Sequence, residues 1–121
     1  MRIVVTSRTA YDLWLSRNIQ YATLVRIDGL NIAFEHFVAA KLDALAGLRP
    51  VLQSLIGGLS GARLLAGRFA TVQQAIGTVK GNLVAAAFIR QFVDEAKVTG
   101  LVEGLIAKHN AEGLIATPGK K

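Results

Sequence analysis

Residues 2–12 have the sequence RIVVTSRTAYD, and two local signals follow one another within them. Residues 2–6 are a β-branched apolar run, which favours a strand. The spacing from Thr9 to Asp12 is that of a capping box, in which a hydroxyl and an acidic side chain close the start of a helix. The stretch therefore predicts a strand, a tight turn and a helix.

The same alternation continues along the chain. Further strands are expected over residues 22–27, 43–48, 62–70 and 72–79. Further helices are expected over residues 30–42, 51–56, 83–98 and 101–109, with Pro50 at a first helical position and a break at Gly100. Alternating strands and helices predict an α/β fold with a mainly parallel sheet flanked by helices on both faces. Leu13 is expected to lie against this sheet.

The composition excludes several classes of protein. Hydrophobic residues make up 52% of the 121 residues and charged residues 18%, which excludes intrinsic disorder. The mean hydropathy of +0.42 is high for a small domain, so some apolar surface should meet a partner. The longest apolar run, residues 83–89, is too short to span a membrane, and the N-terminus lacks the pattern of a signal peptide. As written, the chain is expected to stay in the cytoplasm.

The positive charge is spread along the chain. Fourteen Lys and Arg residues against eight Asp and Glu residues give a formal charge of +6, but only Lys120 and Lys121 are adjacent. Even spacing favours a solvated surface over a nucleic-acid interface. No nucleic-acid partner is expected.

The best candidate site is the turn formed by Ser7, Arg8, Thr9 and Ala10, which precedes a helix N-terminus. Unpaired amide N–H groups and the helix dipole favour an anion there. The alternative is that Thr9 serves only as the N-cap of the helix.

No pattern of metal ligands or catalytic residues is apparent. The chain has no cysteine, and the two histidines, His36 and His109, lie far apart in sequence. The glycines near residues 57–61 lack the spacing of phosphate-binding loops. We therefore expect no metal, no cofactor and no catalytic residue.

Several segments together resemble a known family. They are VTSRTAYDL (residues 5–13), LDALAG (42–47), GRF (67–69), QQAIG (73–77), AAAFIRQFV (85–93) and GLV (100–102). These segments are similar to the C-terminal half of bacterial extracellular solute-binding proteins of the amino-acid ABC-transporter type. The resemblance implies a type II periplasmic-binding-protein-like fold, in which two α/β lobes close on a solute. Residues 1–70 would be a unit like the second lobe, and residues 71–121 would be a crossing strand, near residues 69–74, with C-terminal helices that pack on the first lobe.

The resemblance also implies residue roles. In the family the turn that matches Ser7–Ala10 touches the solute, with the hydroxyl position at Thr9, and Gly is common where this chain has Arg8. Amino-acid-binding members commonly place an Asp, which receives the ammonium group, where this chain has Leu48. The adjacent Arg49 would instead favour a small anionic or carboxylate solute, and its alternative role is a solvated residue ahead of the helix that starts at Pro50. The family is periplasmic and works with a membrane ABC permease.

The function expected from this resemblance is a half-length solute-binding protein with weak solute binding or none. Two alternatives are a self-assembling half that forms a ligand-free homodimer and, less favoured, a dehydratase-like enzyme of the same fold. The helix over residues 83–98 carries an apolar stripe that includes Val84, Phe88 and Phe92, and this stripe would mediate dimerisation.

Overall fold

The fold centres on a three-stranded parallel sheet. The computed structural model of the chain describes residues 1–119. The strands are β1 (Arg2–Thr6), β2 (Thr23–Ile27) and β3 (Ala44–Leu45), in the order β2-β1-β3. The register runs from Arg2 opposite Thr23 to Thr6 opposite Ile27, and Ile3 is opposite Ala44. The predicted α/β class with a parallel sheet is confirmed.

The central strand is buried on both faces because a helix covers each one. Side chains alternate across a strand, so neighbouring residues of β1 enter different cores. On one face lies the cluster of Ile3, Val5, Tyr11, Leu15 and Ala46, which includes α1 (Ala10–Asn18). On the other lies the cluster of Val4, Ala33 and Leu42, which includes α2 (Leu30–Ala39). Helices therefore flank both faces, as predicted.

The buried face of α1 differs from the prediction. Its buried residues are Tyr11, Asp12 and Leu15, whereas Leu13 is 52% exposed. An i, i+1, i+4 set on a helix leaves i+2 on the opposite side. Leu13 therefore faces solvent, and the expectation that it packs on the sheet is wrong.

The end of α2 and the length of β3 both differ from the prediction. Lys41 adopts a left-handed φ of 47°, and the amide of Leu42 donates to the carbonyl oxygen of Phe37 at 3.0 Å. This is the hydrogen bond of a Schellman motif, which closes a helix and reverses the chain. The helix ends at Ala39 rather than at residue 42, and only Ala44–Leu45 then pair with β1.

The two strands predicted over residues 62–70 and 72–79 are absent. No residue from 57 to 82, all of them described, lies in a helix or strand. A strand needs a hydrogen-bonded neighbour, and neither segment pairs with the outer edge of β2 or of β3. Gly61 and Gly67 have φ values of 82° and 77°, which interrupt an extended backbone. The apolar character of these segments is therefore insufficient to form strands.

The remaining helices are α3 (Arg49–Ile56), α4 (Leu83–Val98) and α5 (Leu101–Lys108). Pro50 lies in the first turn of α3, α4 has the predicted bounds, and Gly100 separates α4 from α5 with a φ of 75°.

The chain divides into two units, Met1–Val72 and Gln73–Lys121. In the second unit, none of the described residues 73–119 is buried. Within residues 1–119, no helix has both the length and the apolar character needed to cross a membrane.

Two leucines of α1 provide a test of this packing. Leu15 is 5% exposed and Leu13 is 52% exposed. We expect Leu15→Ala to lower the free energy of unfolding by about 2–5 kcal/mol, because it leaves a cavity in the α1 cluster. The matched change Leu13→Ala should cost less than about 1 kcal/mol. Urea denaturation measures both, and equal losses would contradict the assigned face of α1.

Candidate functional site

The turn of residues 7–10 connects the central strand to α1. It lies at the carboxyl edge of the sheet, where open α/β folds bind their ligands. The amide of Ser7 donates to the carbonyl oxygen of Ile27 at 3.0 Å, so pairing with β2 continues into the turn. The turn is thereby fixed to two adjacent strands.

The hydroxyl of Thr9 caps α1 and acts as both a hydrogen-bond acceptor and a donor. Thr9 Oγ1 accepts from the amide of Asp12 at 3.2 Å and donates its proton to the carbonyl oxygen of Thr6 at 2.7 Å. A hydroxyl carries one proton, so none is left to donate to a carboxylate solute in this arrangement. The cap role of Thr9 is therefore observed directly.

The buried carboxylate of Asp12 accepts hydrogen bonds from the turn and from β2. Asp12 is only 5% exposed, and its Oδ2 accepts from the amide of Arg8 at 3.0 Å. Its Oδ1 accepts from Arg26 Nε at 2.9 Å, and Arg26 also donates to Ser16 Oγ at 2.7 Å. A buried charge is tolerated when it is paired and hydrogen-bonded, and both conditions are met. Asp12 is an internal anion at the start of α1.

Arg8 adopts a strained backbone conformation, which the hydrogen bond from its amide to Asp12 holds in place. Its φ is 61°, a left-handed conformation that costs a non-glycine residue about 1–2 kcal/mol. Its side chain is mostly exposed and lies 3.8 Å from the exposed carboxylate of Asp28. An exposed pair at this distance contributes little, so the amide bond to Asp12 is the stronger constraint.

Some donors of the turn remain open. Among the described residues, the amides of Thr9, Ala10 and Tyr11 donate to no protein acceptor. The buried Thr6 Oγ1 beside the turn also has no hydrogen-bond partner. Orphan N–H groups at a helix start, together with the positive end of the helix dipole, can hold one carboxylate or another small anion.

The structure does not join Arg49 to the turn. Leu48, the N-cap of α3, is exposed and makes no side-chain cap. Arg49 Nη2 donates to the carbonyl oxygens of Leu65, at 3.0 Å, and Gly67. In the described part of the chain, no hydrogen bond or ion pair links Arg49 to residues 7–10. Ser7, Arg8, Thr9 and Ala10 are therefore together, whereas Arg49 is engaged with a different segment.

Sequence reasoning missed two partners of the site. Arg26 reaches Asp12 because it lies opposite Val5 in the sheet register, which no local pattern shows. Asp28 follows β2, and the carboxyl ends of parallel strands meet at one edge of the sheet. The predicted parallel sheet was therefore sufficient to place Asp28 near the turn. Over residues 1–119, no group of three His, Asp or Glu side chains is arranged to hold a metal.

Two aspartates near the turn provide matched variants. We expect Asp12→Asn to lower the free energy of unfolding by about 1–3 kcal/mol, because it weakens charge-assisted hydrogen bonds to a buried group. Asp28→Asn, in an exposed pair, should change it by less than about 0.5 kcal/mol. Thermal or urea unfolding measures both values. A loss at Asp28 as large as at Asp12 would refute the central role of the buried carboxylate.

Comparison of the chain with protein-family models, curated proteins and solved structures gives no match. The turn, its internal carboxylate and its open amides are therefore the observations from which a function is proposed.

Proposed function

We propose that this chain is the second-lobe half of an extracellular solute-binding protein of the amino-acid ABC-transporter type. The observation that carries the proposal is the turn of residues 7–10 with open helix-start amides at the carboxyl edge of the central strand. Arg8 adds support, since its φ of 61° is a conformation in which glycine is unstrained, and the family often has glycine there. A membrane permease is the partner that such a function implies.

The solute class follows from the charges around this edge. The open amides favour a carboxylate. An ammonium group would need a charged acceptor, and Leu48, at the position where amino-acid-binding members place an Asp, offers none. The exposed carboxylate of Asp28 at the same edge already faces the guanidinium of Arg8 at 3.8 Å. We therefore propose a small anionic or carboxylate solute rather than a free amino acid. Binding by this half alone is weak, because one lobe desolvates only one side of a solute.

A substitution at Ala10 tests directly whether the open amides bind the carboxylate. It is the first residue of α1, and Thr9 before it is extended with φ −90° and ψ 162°, as a residue before proline must be. We expect Ala10→Pro to remove one open N–H group without disturbing the helix, and to weaken succinate binding about tenfold. Ala10→Gly keeps the N–H group and is the matched control.

Titration calorimetry measures these affinities. Succinate should bind the wild-type chain more tightly than glutamine does. Glutamine binding at micromolar affinity would refute the argument from Leu48. Equal succinate affinity in Ala10→Pro and Ala10→Gly would move the anion away from the turn.

We also propose that the chain forms a homodimer, because the second unit carries an apolar face without a core. On α4 the stripe of Val84, Phe88 and Phe92 lies at helical spacing, and Val84 and Phe88 are 83% and 71% exposed. On α5, Leu101 and Leu105 are exposed as well. An apolar surface of this kind is typical of an interface. A second copy would bury it by pairing the same face with itself.

Light scattering tests the homodimer. At micromolar concentration the wild-type chain should have about twice the mass of 12.9 kDa. Phe88→Asp should give the monomer mass, because it buries an unpaired charge in the interface. Tyr21→Asp, at an exposed aromatic residue of the first unit, is the matched control and should remain dimeric. A monomer mass for the wild type at every concentration would disprove the dimer.

A further inference from the structure

Asp28 and Gly29 form the connection between β2, which ends at Ile27, and α2, which begins at Leu30. In the whole sequence, this is the one position at which an aspartate or asparagine precedes a glycine. The amide nitrogen after an aspartate can attack the side-chain carboxyl group, and a glycine there has no side chain to hinder the approach. Reacting groups within one chain also have a high effective concentration. The pair therefore has the chemistry to close a five-membered succinimide ring.

The carboxylate of Asp28 is exposed and weakly held. Its side chain is 75% exposed, and it lies 3.8 Å from Arg8 Nη2, which is longer than a hydrogen bond. Within residues 1–119, no donor makes a hydrogen bond to this carboxylate. An exposed ion pair of this kind contributes little. The side chain is therefore able to turn toward its own main chain.

The amide of Gly29 is open as well. In the part of the chain that the structure describes, it donates to no protein acceptor. The hydrogen bonds of α2 begin with the carbonyl oxygen of Gly29, which accepts from the amide of Ala33 at 3.0 Å. The φ of Gly29 is 89°, a left-handed value that favours glycine at this position. The backbone thus requires the residue that hinders the attack least, and the helix leaves its nitrogen unengaged.

The two other aspartates of the first unit differ in both respects. Asp12 is 5% exposed, and both of its carboxylate oxygens accept hydrogen bonds. Asp43 Oδ2 accepts from a backbone amide at 2.6 Å. The residues that follow them, Leu13 and Ala44, both carry a side chain. Of these three aspartates, Asp28 alone combines a weakly held carboxylate with a following glycine.

We propose that the peptide bond between Asp28 and Gly29 is a modification site, at which Asp28 converts spontaneously into isoaspartate. The Gly29 nitrogen bonds to Cγ of the protonated carboxyl group, and the Cγ–OH bond breaks, so that the hydroxyl leaves as water with the amide proton. Water then adds to the main-chain carbonyl carbon of Asp28. Its hydroxyl stays on that carbon, its proton goes to the Gly29 nitrogen, and the bond between these two atoms breaks. One water leaves and one enters, so the mass of the chain is unchanged.

The modification alters the edge of the sheet at which the turn of residues 7–10 lies. The chain then runs through Cγ of Asp28, which adds one methylene group to the main chain between β2 and α2. The free carboxylate moves from the end of a side chain to the former main-chain carbon. Arg8 thereby loses the carboxylate that it faces at 3.8 Å. This inference does not depend on the proposed function, since it needs no solute.

Peptide mapping tests the modification. The full chain is incubated at neutral pH and body temperature and then digested with trypsin, which releases a peptide of residues 27–41. We expect a second form of this peptide, with the same mass and a different retention time, that an isoaspartyl methyltransferase labels. Deamidation of Asn31 raises the mass, so an unchanged mass assigns the new form to Asp28. The peptide that contains Asp43 should keep a single form.

Asp28→Glu is the matched variant. Glutamate keeps the charge, but attack on its longer side chain closes a six-membered ring, so conversion should be at least about tenfold slower. The free peptide of residues 27–41 gives the rate without the fold. The folded wild-type chain should convert within about tenfold of this rate, because neither reacting group is engaged.

Two results would overturn the proposal. A folded chain that stays unmodified, or converts far more slowly, while the free peptide converts would show that the fold protects Asp28. Conversion of Asp28→Glu at the wild-type rate would place the reaction at another residue.

Discussion

The carboxylate of Asp12 is the constraint on which the rest of the first unit depends. It lies where the central strand, its turn and α1 meet, and it binds the amide of Arg8 and the guanidinium of Arg26. Without it, the left-handed Arg8 would lose its strongest restraint, and β2 would lose the ion pair that joins it to α1. The same carboxylate also limits the site, because it satisfies a donor of the turn that a solute would otherwise use. A bound anion must rely on the amides that follow it in the chain.

Elements with local signals were predictable from the sequence. The capping spacing from Thr9 to Asp12 and the stop at Gly100 depend on neighbouring residues, so α1 and α4 begin or end close to where they were expected. The face of α1 was not predictable from hydrophobicity, because an acidic residue, Asp12, belongs to the buried side and the apolar Leu13 does not. Residues 62–79 do not form strands for a different reason: a strand needs a hydrogen-bonded neighbour, and no pattern within a segment reveals whether it will pair with one.

The site could be predicted in part. The turn of Ser7, Arg8, Thr9 and Ala10 follows from the order of strand and helix, and the structure places these residues together at the carboxyl edge. The contact of Arg26 with Asp12 requires the strand register, and the contact of Arg49 with Leu65 and Gly67 requires the path of an irregular segment. Both are long-range consequences of folding. The place of Arg49 beside the family's ammonium-binding position therefore makes it resemble a solute ligand, although its Nη2 donates to the chain itself.

Burial of β1 on both faces has a consequence for strand pairing. A strand with one polar face has its register specified by polarity, since a shift by one residue would expose the apolar side chains. That mechanism is weak for β1, because Ile3, Val4 and Val5 are all apolar and all buried. The two sides differ in what lines them instead: Ile3 and Val5 pack with Tyr11 and Leu15, whereas Val4 packs with Ala33 and Leu42. A slipped strand would exchange the side chains that enter these two cores, so the alignment of this sheet depends on the fit of side chains rather than on polarity.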